Sequence, residues 1–397
     1  MTVPSMVEKI EDLAQFENLR EEWNQSLKAS TSDGLFLTWE WLYTWWKHLS
    51  EKRRLFILLV RSQGELDAIA PLALQPPQPA RLLPFRSLQF LGTGSVGSDY
   101  LDLIVRQGKE HDALRTLAQY LTREKLMIEL AQVSENSRAD SKLVWRLKEQ
   151  GWSVFERKTY LCPFIKLSGH SWQSYLASLG PAHRYNFNRR LRNLIRQFDV
   201  RFDQVRSEEE LSSGLASLVA LHNMRWCERG GSNAFHSPAL RAFHEEFSRL
   251  ALRCGWLRLF ILWLDGKPAA SVYGFRYGRS FLFYQSAFHP AYSKLSVGLI
   301  ALGLSIKSAV EEGAEEYDLL HGDEQYKFHW AREARELVGQ ELYPPGARGL
   351  LYKRTLALRR TSKKIVRSVL VPAVGGQDDR LQVKFEILKG ENRASSH

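Results

Sequence analysis

The pentapeptide RLFIL occurs twice in this chain, starting at Arg54 and again at Arg258. Each copy is followed by a turn-forming pair that ends in glycine, at Gly64 in the first copy and at Gly266 in the second, and then by another apolar run. Two apolar runs joined by such a pair are typical of antiparallel strands with a tight turn. A third apolar run follows both times, so each copy is predicted to begin with a three-stranded meander.

Beyond each meander the apolar pattern changes from the strand period to the helix period. In the second copy, the run LSVGLIALGLSIKSAVEEG carries its large apolar residues on one helical face and ends at Gly313, where a helix C-cap favours glycine. A predicted strand, a short helix and a closing strand follow, and the first copy repeats this order. The sequence therefore predicts an α+β (mixed α/β) fold with a mixed sheet.

The duplicated pattern also divides the chain. A chain of 397 residues is longer than one hydrophobic core usually serves. We therefore expect two tandem domains, residues 1–160 and 161–347, each a mixed sheet flanked by helices. Residues 348–397 are expected to form a basic amphipathic tail that is partly disordered. A chance match of five common letters is the alternative explanation of the repeat, and the matching flanks argue against it.

Cysteine usage and hydropathy indicate where the protein works. The chain has 3 cysteines, no C-x-x-C pair and no histidine partner at zinc-like spacing, so we expect neither disulfides nor a bound metal. The N-terminus lacks the basic end and apolar stretch of a signal peptide, and the longest apolar runs have the length of strands. We expect a cytoplasmic protein that does not span a membrane but could bind peripherally at its inner face.

The net charge of +11 is concentrated in two segments, which favours anionic partners. The stretch 184–206 is predicted to be a helix with an apolar stripe on one face and Arg189, Arg192 and Arg196 on the other. A solvated basic face and a bound anion both fit this pattern. The second segment, 348–367, is also basic and amphipathic, and it could lie on an anionic membrane surface or dock on the first domain.

A strand in the second copy ends in a small-residue loop that opens directly into a helix. The loop residues in the run AYSKLSVG are Ser293, Lys294, Ser296 and Gly298. Helix N-termini expose unpaired N–H groups and a partial positive charge, which bind phosphates. We expect either a phosphate site here, with Lys294 adding charge, or an ordinary helix start capped by Ser296.

Polar residues crowd the end of the next predicted strand, in YDLLHGDEQYKFHW. Strand ends in α/β sheets face the ligand crevice. Asp318 or His321 could therefore act as a general base there, while Lys327 could bind an anion or stabilise a developing oxyanion. A polar turn with a purely structural histidine is the alternative.

Another candidate pair lies on a predicted helix, in LHNMRWCERGG. His222 and Arg225 are three residues apart in sequence and are therefore neighbours on the helix. Arg225 could hold a carboxylate or a phosphate bidentately, although arginines of this kind commonly form surface ion pairs.

These motifs together resemble the GNAT acyltransferases. The tandem copies resemble the CelD-like branch of that superfamily, which is related to the FemAB transferases. The matching segments are LHNMRWCERGG, HPAYSKLSVG and above all YDLLHGDEQYKFHW, which resembles the Gly-Asp-x-x-Tyr-Lys ending of the branch. The resemblance extends over nearly the whole chain, and it explains the repeat as a duplication of the fold.

The resemblance implies an acyl-CoA-dependent N-acyltransferase, expected to be an acetyltransferase, that acts on an amine-bearing small molecule or an amino sugar in polysaccharide or cell-envelope biosynthesis. Backbone N–H groups of the strand FLFYQSAF would stabilise the oxyanion. The residues implied to bind the pyrophosphate of acetyl-CoA or another acyl-CoA are Ser293, Lys294, Leu295, Ser296, Val297 and Gly298. The implied catalytic residues are Tyr284, Asp318, His321 and Lys327, with Tyr292 as an alternative proton donor. The implied substrate-binding residues are His222, Arg225, Asp323 and Tyr326.

The glycine-rich run FLGTGSVGSD of the first copy is expected to lie on the substrate side or to be structural. Two rival functions fit the same sequence. A FemAB-type transferase with aminoacyl-tRNA as donor would use the arginine-rich stretch 184–206, although the long paired helices of that group are not evident. A non-catalytic scaffold that binds anions or membranes would account for both basic segments but not for the polar cluster near Lys327. Apart from tRNA in the first rival, nucleic acid is not an expected partner.

Overall fold

The computed structural model describes residues 5–77, 85–227, 235 and 237–370. The chain divides into two compact units, Met1–Pro345 and Gly346–His397, which are described separately.

The N-terminal repeat, residues 6–166, contains the first predicted meander, in which β2, β3 and β4 pair antiparallel in chain order. Its tight turn has Gln63 and Gly64 in the left-handed region, with φ of 53° and 83°. The elements of this repeat are β1 (Met6–Ile10), α1 (Leu13–Asn18), α2 (Arg20–Lys28), α3 (Trp39–Leu49), β2 (Arg54–Ser62), β3 (Glu65–Leu74), β4 (Ser87–Phe90), β5 (Ile104–Val105), α4 (Glu110–Glu124), β6 (Met127–Ser134), α5 (Arg138–Glu149) and β7 (Ser153–Lys166).

The C-terminal repeat, residues 200–343, contains the second predicted meander, formed by β9, β10 and β11. Both predicted meanders are therefore confirmed. Two helices, α6 (Trp172–Ser178) and α7 (Pro181–Gln197), connect the repeats. The remaining elements are β8 (Val200–Gln204), α8 (Glu208–Cys227), α9 (Pro238–Arg253), β9 (Leu257–Leu264), β10 (Lys267–Tyr277), β11 (Ser280–Phe288), α10 (Val297–Glu311), β12 (Glu316–Asp318), α11 (Gln325–Phe328) and β13 (Glu333–Tyr343).

The two repeats share one 13-stranded mixed sheet. Their closing strands are exchanged, because β7 of the N-terminal repeat pairs with β12, and β13 of the C-terminal repeat pairs with β6. β7 and β13 also pair with each other along the whole length of β13. The two sheets expected from the sequence are thus joined into one, and the predicted boundary between residues 160 and 161 lies inside β7.

Hydrophobic side chains cover both faces of the sheet. On one face, α10 packs over β9, β10 and β11, and its buried Ile300 and Ile306 share a core with Phe281 and Phe283. On the other face, Trp41 of α3 meets Phe247 of α9 edge to face, with ring centroids 4.7 Å apart. Such a perpendicular arrangement of aromatic rings is favourable beyond the area it buries. Helix packing therefore joins the two repeats in addition to the shared sheet.

The predicted helix over 184–206 is only partly correct, because α7 ends at Gln197 and residues 200–204 form strand β8. Its apolar stripe is only partly as expected, because Phe187 and Leu194 are buried whereas Ile195 is 57% exposed. In the second unit, α12 spans Ala347–Leu370, so the basic tail begins as a helix. Its association with a membrane stays a prediction.

Candidate active site

The candidate site lies where two parallel strands of the C-terminal repeat, β11 and β12, separate. The pairing of β11 with β12 ends at Leu282 and Asp318. The residues after Asp318 continue alongside β7 and away from β11. The Leu319 N–H, for example, donates a 2.9 Å hydrogen bond to the Pro163 carbonyl of β7. β11 continues to Phe288 without β12 beside it. An open strand edge results, along which backbone groups can bind a ligand.

The Asp318 carboxyl group lies at this point of separation and is buried. The Tyr100 phenol donates a 2.7 Å hydrogen bond to Oδ2, and the Leu320 N–H donates one of 2.7 Å to Oδ1. Burial raises the pKa of Asp318 to about 7, although the Tyr100 hydrogen bond and the Arg335 charge act in the opposite direction. A carboxyl group with this pKa exchanges a proton near neutral pH, as a general base must.

Arg335 of β13 connects Asp318 to a second carboxylate. Its guanidinium donates a 3.2 Å hydrogen bond to Asp318 Oδ2 and pairs with both oxygens of Glu316, one of them at 2.7 Å. The same guanidinium stacks on Phe164 of β7, 3.9 Å from the ring centroid. Because β7 and β13 are the exchanged strands, the strand exchange brings this arginine to the site.

His321 lies three residues beyond Asp318 and is held by Asp99. The ring Nδ1 lies 2.8 Å from Asp99 Oδ1, and the His321 backbone N–H donates to Oδ2 at 2.9 Å. Burial lowers the pKa of His321, but the hydrogen bond and charge of Asp99 outweigh burial and leave the pKa above its ordinary value. With Nδ1 bound by a carboxylate, Nε2 is the ring nitrogen that can meet a substrate.

Lys327 is buried beneath the same turn. Its ammonium group donates to the His321 carbonyl at 2.6 Å and to the Leu320 carbonyl at 3.3 Å, and it pairs with Glu324 at 3.1 Å. Gly322, the residue after His321, has φ of 127°, and a Cβ on it would lie only 2.7 Å from Nζ of Lys327. Lys327 thus holds the turn that carries His321. The closeness of its ammonium group explains why residue 322 is a glycine, because a larger side chain would collide with it.

Asp318 also forms part of the wall of a cleft of about 670 Å³ between the repeats. Acidic side chains outnumber basic ones there. Arg335 is already paired with Glu316, and Arg279 is paired with Glu315. The acidic lining residues are Asp33, Asp99, Asp102, Glu316 and Asp318, and the basic ones are Arg279 and Arg335. The cleft therefore favours a cationic ligand.

The predicted phosphate loop lies at the other end of the open edge. A 3-10 helix over Pro290–Leu295 leads into α10, and a Cβ on Gly298 would lie 3.1 Å from the Phe288 ring at the end of β11. Ser296 occupies the N-cap position of α10, but its side chain makes no capping hydrogen bond. The expectation of a serine cap is wrong here, because Ser296 has a left-handed backbone (φ 58°) rather than the extended one that capping requires.

Two predicted substrate-binding residues approach this end of β11. The Arg225 guanidinium lies 4.6 Å from the centroid of the Phe288 ring. Tyr326 of α11 lies near Arg225 and Ser286. Burial raises the pKa of its phenol, although the charge of Arg225 acts in the opposite direction. The helix N-terminus, Arg225 and Tyr326 thus surround the end of the open edge.

The other predicted residues are more dispersed. Tyr284 lies among aromatic rings, including Trp41 and His244, and its phenol donates to the Val96 carbonyl. His222 is buried beside Phe235, with ring centroids 5.1 Å apart, and burial lowers its pKa. Asp323 is exposed on the turn before α11. The structure therefore groups Asp318, His321 and Lys327 at one end of the open edge and Arg225 and Tyr326 at the other.

Sequence reasoning missed three residues that complete the site: Asp99, Tyr100 and Arg335. Asp99 is the last residue of the glycine-rich run FLGTGSVGSD, and Tyr100 follows it directly, so this run lies beside Asp318 and His321. Gly97 in that run has φ of 71°, and a Cβ there would lie 3.4 Å from Cε1 of His321. The acidic residue at the end of this run was the available signal. No comparable signal marks Arg335, because its position depends on the strand exchange.

Comparison with known proteins identifies the fold. Residues 181–328 match the family model described as "Acetyltransferase (GNAT) domain". Comparison with curated protein sequences gives no significant match. A crystal structure of FemX has a TM-score of 0.61 and 14% identity, covering 87% of this chain and 99% of that one. A conserved protein of unknown function from Bacteroides thetaiotaomicron has a TM-score of 0.54 and 14% identity, covering 85% of this chain and 100% of the other.

A tandem GNAT protein from the clavulanic acid biosynthesis pathway is also similar, at a TM-score of 0.45 and 11% identity, covering 86% of this chain and 100% of that one. Residues 181–328 match a GNAT family model, and the chain has a fold similar to that of FemX. Within the described residues, no three histidine, cysteine or acidic side chains group closely enough to hold a metal ion. The helices of the described part are also too short or too polar to cross a membrane.

Proposed function

We propose that this chain, which has the GNAT-superfamily fold, is an N-acyltransferase that moves an acyl group from acyl-CoA to an amine. The observation that carries this proposal is the position of Asp318. It is a buried carboxyl group with a pKa of about 7, it lies where β11 and β12 separate, and it faces an acidic cleft. A base with this pKa suits removal of a proton from an ammonium group near neutral pH.

The residues at the start of α10 fit the donor. The open edge of β11 runs from Phe283 to Phe288, roughly 17 Å at the usual rise of a strand. A pyrophosphate at the N-terminus of α10 would meet the backbone N–H groups of Val297 and Gly298, because that of Ser296 already donates to the Ser293 carbonyl. Arg225 would add a positive charge nearby. The acyl thioester would then lie along the open edge toward Asp318. Bound acyl-CoA supplies the activated carbonyl group.

The acidic cleft fits the acceptor. An ammonium group entering it would meet carboxylates from both repeats, and Asp318 would accept one of its protons. The amine nitrogen then forms a bond to the acyl carbon while the carbon–sulfur bond breaks. A second amine proton passes to the leaving sulfur, so the products are an amide, free CoA thiol and one proton released through Asp318. An amino sugar as acceptor, and a role in polysaccharide synthesis, stay predictions.

The test measures thiol release from acetyl-CoA in the presence of a panel of amino sugars and other amines. We expect turnover with at least one amine, and a loss of tenfold or more in kcat for Asp318→Asn, because a general base contributes roughly 10² to 10⁴ in rate. Asp203→Asn is the matched control, since this exposed aspartate lies on β8 away from the cleft. Parent-like turnover by folded Asp318→Asn would refute the assignment of the base.

A second candidate function uses aminoacyl-tRNA as the donor. One observation favours it: among the described residues, no carboxylate lies within ion-pair distance of Arg184, Arg189, Arg192 or Arg196 on α7. Unpaired arginines along one helix suit a phosphate backbone. The likeness of the fold to FemX supports testing this donor. Transfer from charged tRNA to an amine, together with no binding of acetyl-CoA in calorimetry, would select it over acyl-CoA.

A further inference from the structure

A second pocket, of about 440 Å³, lies outside the acidic cleft. It is formed by α7, the first turns of α10 and the segment that follows α11. It lies on the face of the sheet covered by α10, whereas Asp318 and Leu282 line the cleft on the opposite face. The lining residues are His183, Asn186, Phe187, Arg190, Leu299, Phe328, His329 and Arg332.

The charged residues of this pocket are all basic. No carboxylate is among the residues that line it, and within the described part of the chain none lies within ion-pair distance of Arg190 or Arg332. The Arg332 guanidinium donates to a carbonyl, that of Leu179, at 3.3 Å. Two arginines and two histidines therefore face the same space without a counter-charge from the protein.

The position of His183 adds an independent observation. Its ring packs edge to face against Trp330, with centroids 4.9 Å apart, and its buried Nε2 has no hydrogen-bond partner among the described residues. Burial lowers the pKa of His183, and the charges of His329, Arg332 and Arg190 lower it further. All four side chains line the same pocket, so they are close enough to act on one bound anion.

We propose that His183, Arg190, His329 and Arg332 bind a phosphate group carried by a nucleotide. An anion would neutralise the clustered charge, and it would accept hydrogen bonds from both guanidinium groups. The pocket volume suits a nucleotide rather than an isolated ion, and Phe328 supplies an aromatic wall. We further infer that this phosphate belongs to the donor. This step rests on the proposed function and on the position of Leu299, a lining residue in the first turn of α10, where the donor is proposed to bind.

The test measures binding of inorganic pyrophosphate and adenosine 3′,5′-bisphosphate to the full chain by calorimetry. Arg190→Gln and Arg332→Gln should each weaken binding roughly tenfold, the usual effect of losing one charge-assisted hydrogen bond. Arg241→Gln is the control: it removes the same charge at an exposed position on α9, outside the pocket, and should leave phosphate binding unchanged. Equal affinities for parent, Arg190→Gln and Arg332→Gln, all folded by circular dichroism, would overturn the proposal.

A second comparison identifies the source of the phosphate. CoA, 3′-dephospho-CoA and a short RNA ending in CCA are titrated into the parent and into Arg190→Gln. Weaker binding of the variant to CoA but not to 3′-dephospho-CoA supports the 3′-phosphate of CoA, and weaker binding to the RNA alone supports a tRNA donor. If the proposed acyl transfer fails while Arg190→Gln still loses pyrophosphate affinity, the pocket stands and only its link to the donor is refuted.

Discussion

The hydroxyl group of Tyr100 donates a 2.7 Å hydrogen bond to Oδ2 of Asp318, across the boundary between the two repeats. Asp99, the neighbour of Tyr100, holds His321 as an acceptor, because its carboxylate accepts a 2.9 Å hydrogen bond from the His321 backbone N–H. Each candidate base of the C-terminal repeat is therefore positioned by a residue of the N-terminal repeat. The duplication supplies part of the site, and neither repeat contains a complete copy of it.

The pairing of Tyr100 with Asp318 predicts a shift in pH dependence. A general base works in its ionised form, so kcat/KM of the parent should rise with pH through about 7, the pKa of Asp318. The Tyr100 hydrogen bond lowers that pKa. Tyr100→Phe should therefore move the rise to higher pH, by roughly 0.7 of a pH unit if the bond contributes about 1 kcal/mol.

The measurement is the pH profile of kcat/KM for the parent and Tyr100→Phe. Tyr185→Phe is the control, because this substitution also removes a tyrosine hydroxyl group, at a position on α7 that is 59% exposed and away from the cleft. A profile of Tyr100→Phe that is lower but unshifted would assign Tyr100 a structural role only.

The environment of Lys327 predicts a loss of stability on its removal. The sequence predicts that Lys327 acts directly, by binding an anion or stabilising a developing oxyanion. In the structure the Lys327 ammonium group satisfies two backbone carbonyls, those of Leu320 and His321, beneath a buried turn. Lys327→Ala should therefore also lower the free energy of unfolding, by about 1–3 kcal/mol for polar groups left unpaired.

Urea denaturation of Lys327→Ala measures this loss. Glu324→Gln is the comparison, because it removes the partly exposed ion-pair partner of Lys327 and leaves both carbonyl contacts in place. Equal stabilities of the parent and Lys327→Ala would contradict the positioning role and favour direct action of the ammonium group on the substrate.

The repeat could be predicted from sequence because its strands and helices are local. RLFIL, a glycine turn and a second apolar run determine a hairpin without reference to the rest of the chain. The pairing partners of β7 and β13 depend on contacts far apart in sequence, which no local pattern encodes. Arg335 was missed for that reason, and Ser296 was misjudged because its left-handed backbone depends on the 3-10 helix before it.

The exchange of closing strands predicts that the repeats do not fold separately. A fragment of residues 1–160 would lack β13, the partner of β6, and would end inside β7. A fragment of residues 161–345 would keep only the end of β7 as a partner for β12. Each fragment would expose an apolar sheet edge. We expect both fragments to be insoluble or unfolded when produced alone, whereas residues 1–345 should unfold in one cooperative transition. A soluble 1–160 fragment with native-like circular dichroism and its own thermal transition would contradict this expectation.

The buried carboxyl group of Asp140 leads to a prediction of how the free energy of unfolding depends on pH. It is buried in the first turn of α5, and its Oδ1 has no hydrogen-bond partner among the described residues. Burial, together with the charge of Asp102, raises its pKa from 3.8 to about 8. Below about pH 4 the carboxyl group is protonated in both the folded and the unfolded chain, and its contribution to stability is fully present. Between pH 4 and pH 8 the unfolded chain ionises while the folded chain retains the proton, so stability falls as pH rises.

Asp140→Asn removes this ionisation while keeping the shape of the side chain. The free energy of unfolding of Asp140→Asn relative to the parent should therefore increase from pH 4 to pH 8, by an amount on the order of a few kcal/mol for a shift of this size. Urea denaturation at pH 5 and at pH 8.5 measures the difference. Asp112→Asn is the control, because a hydrogen bond with His111 lowers the pKa of that exposed carboxylate. Asp112 is ionised in both the folded and the unfolded chain above about pH 5, so the difference between this variant and the parent should stay constant from pH 5 to pH 8.5. A difference between Asp140→Asn and the parent that stays constant across this range would show that Asp140 is ionised in the folded protein at neutral pH.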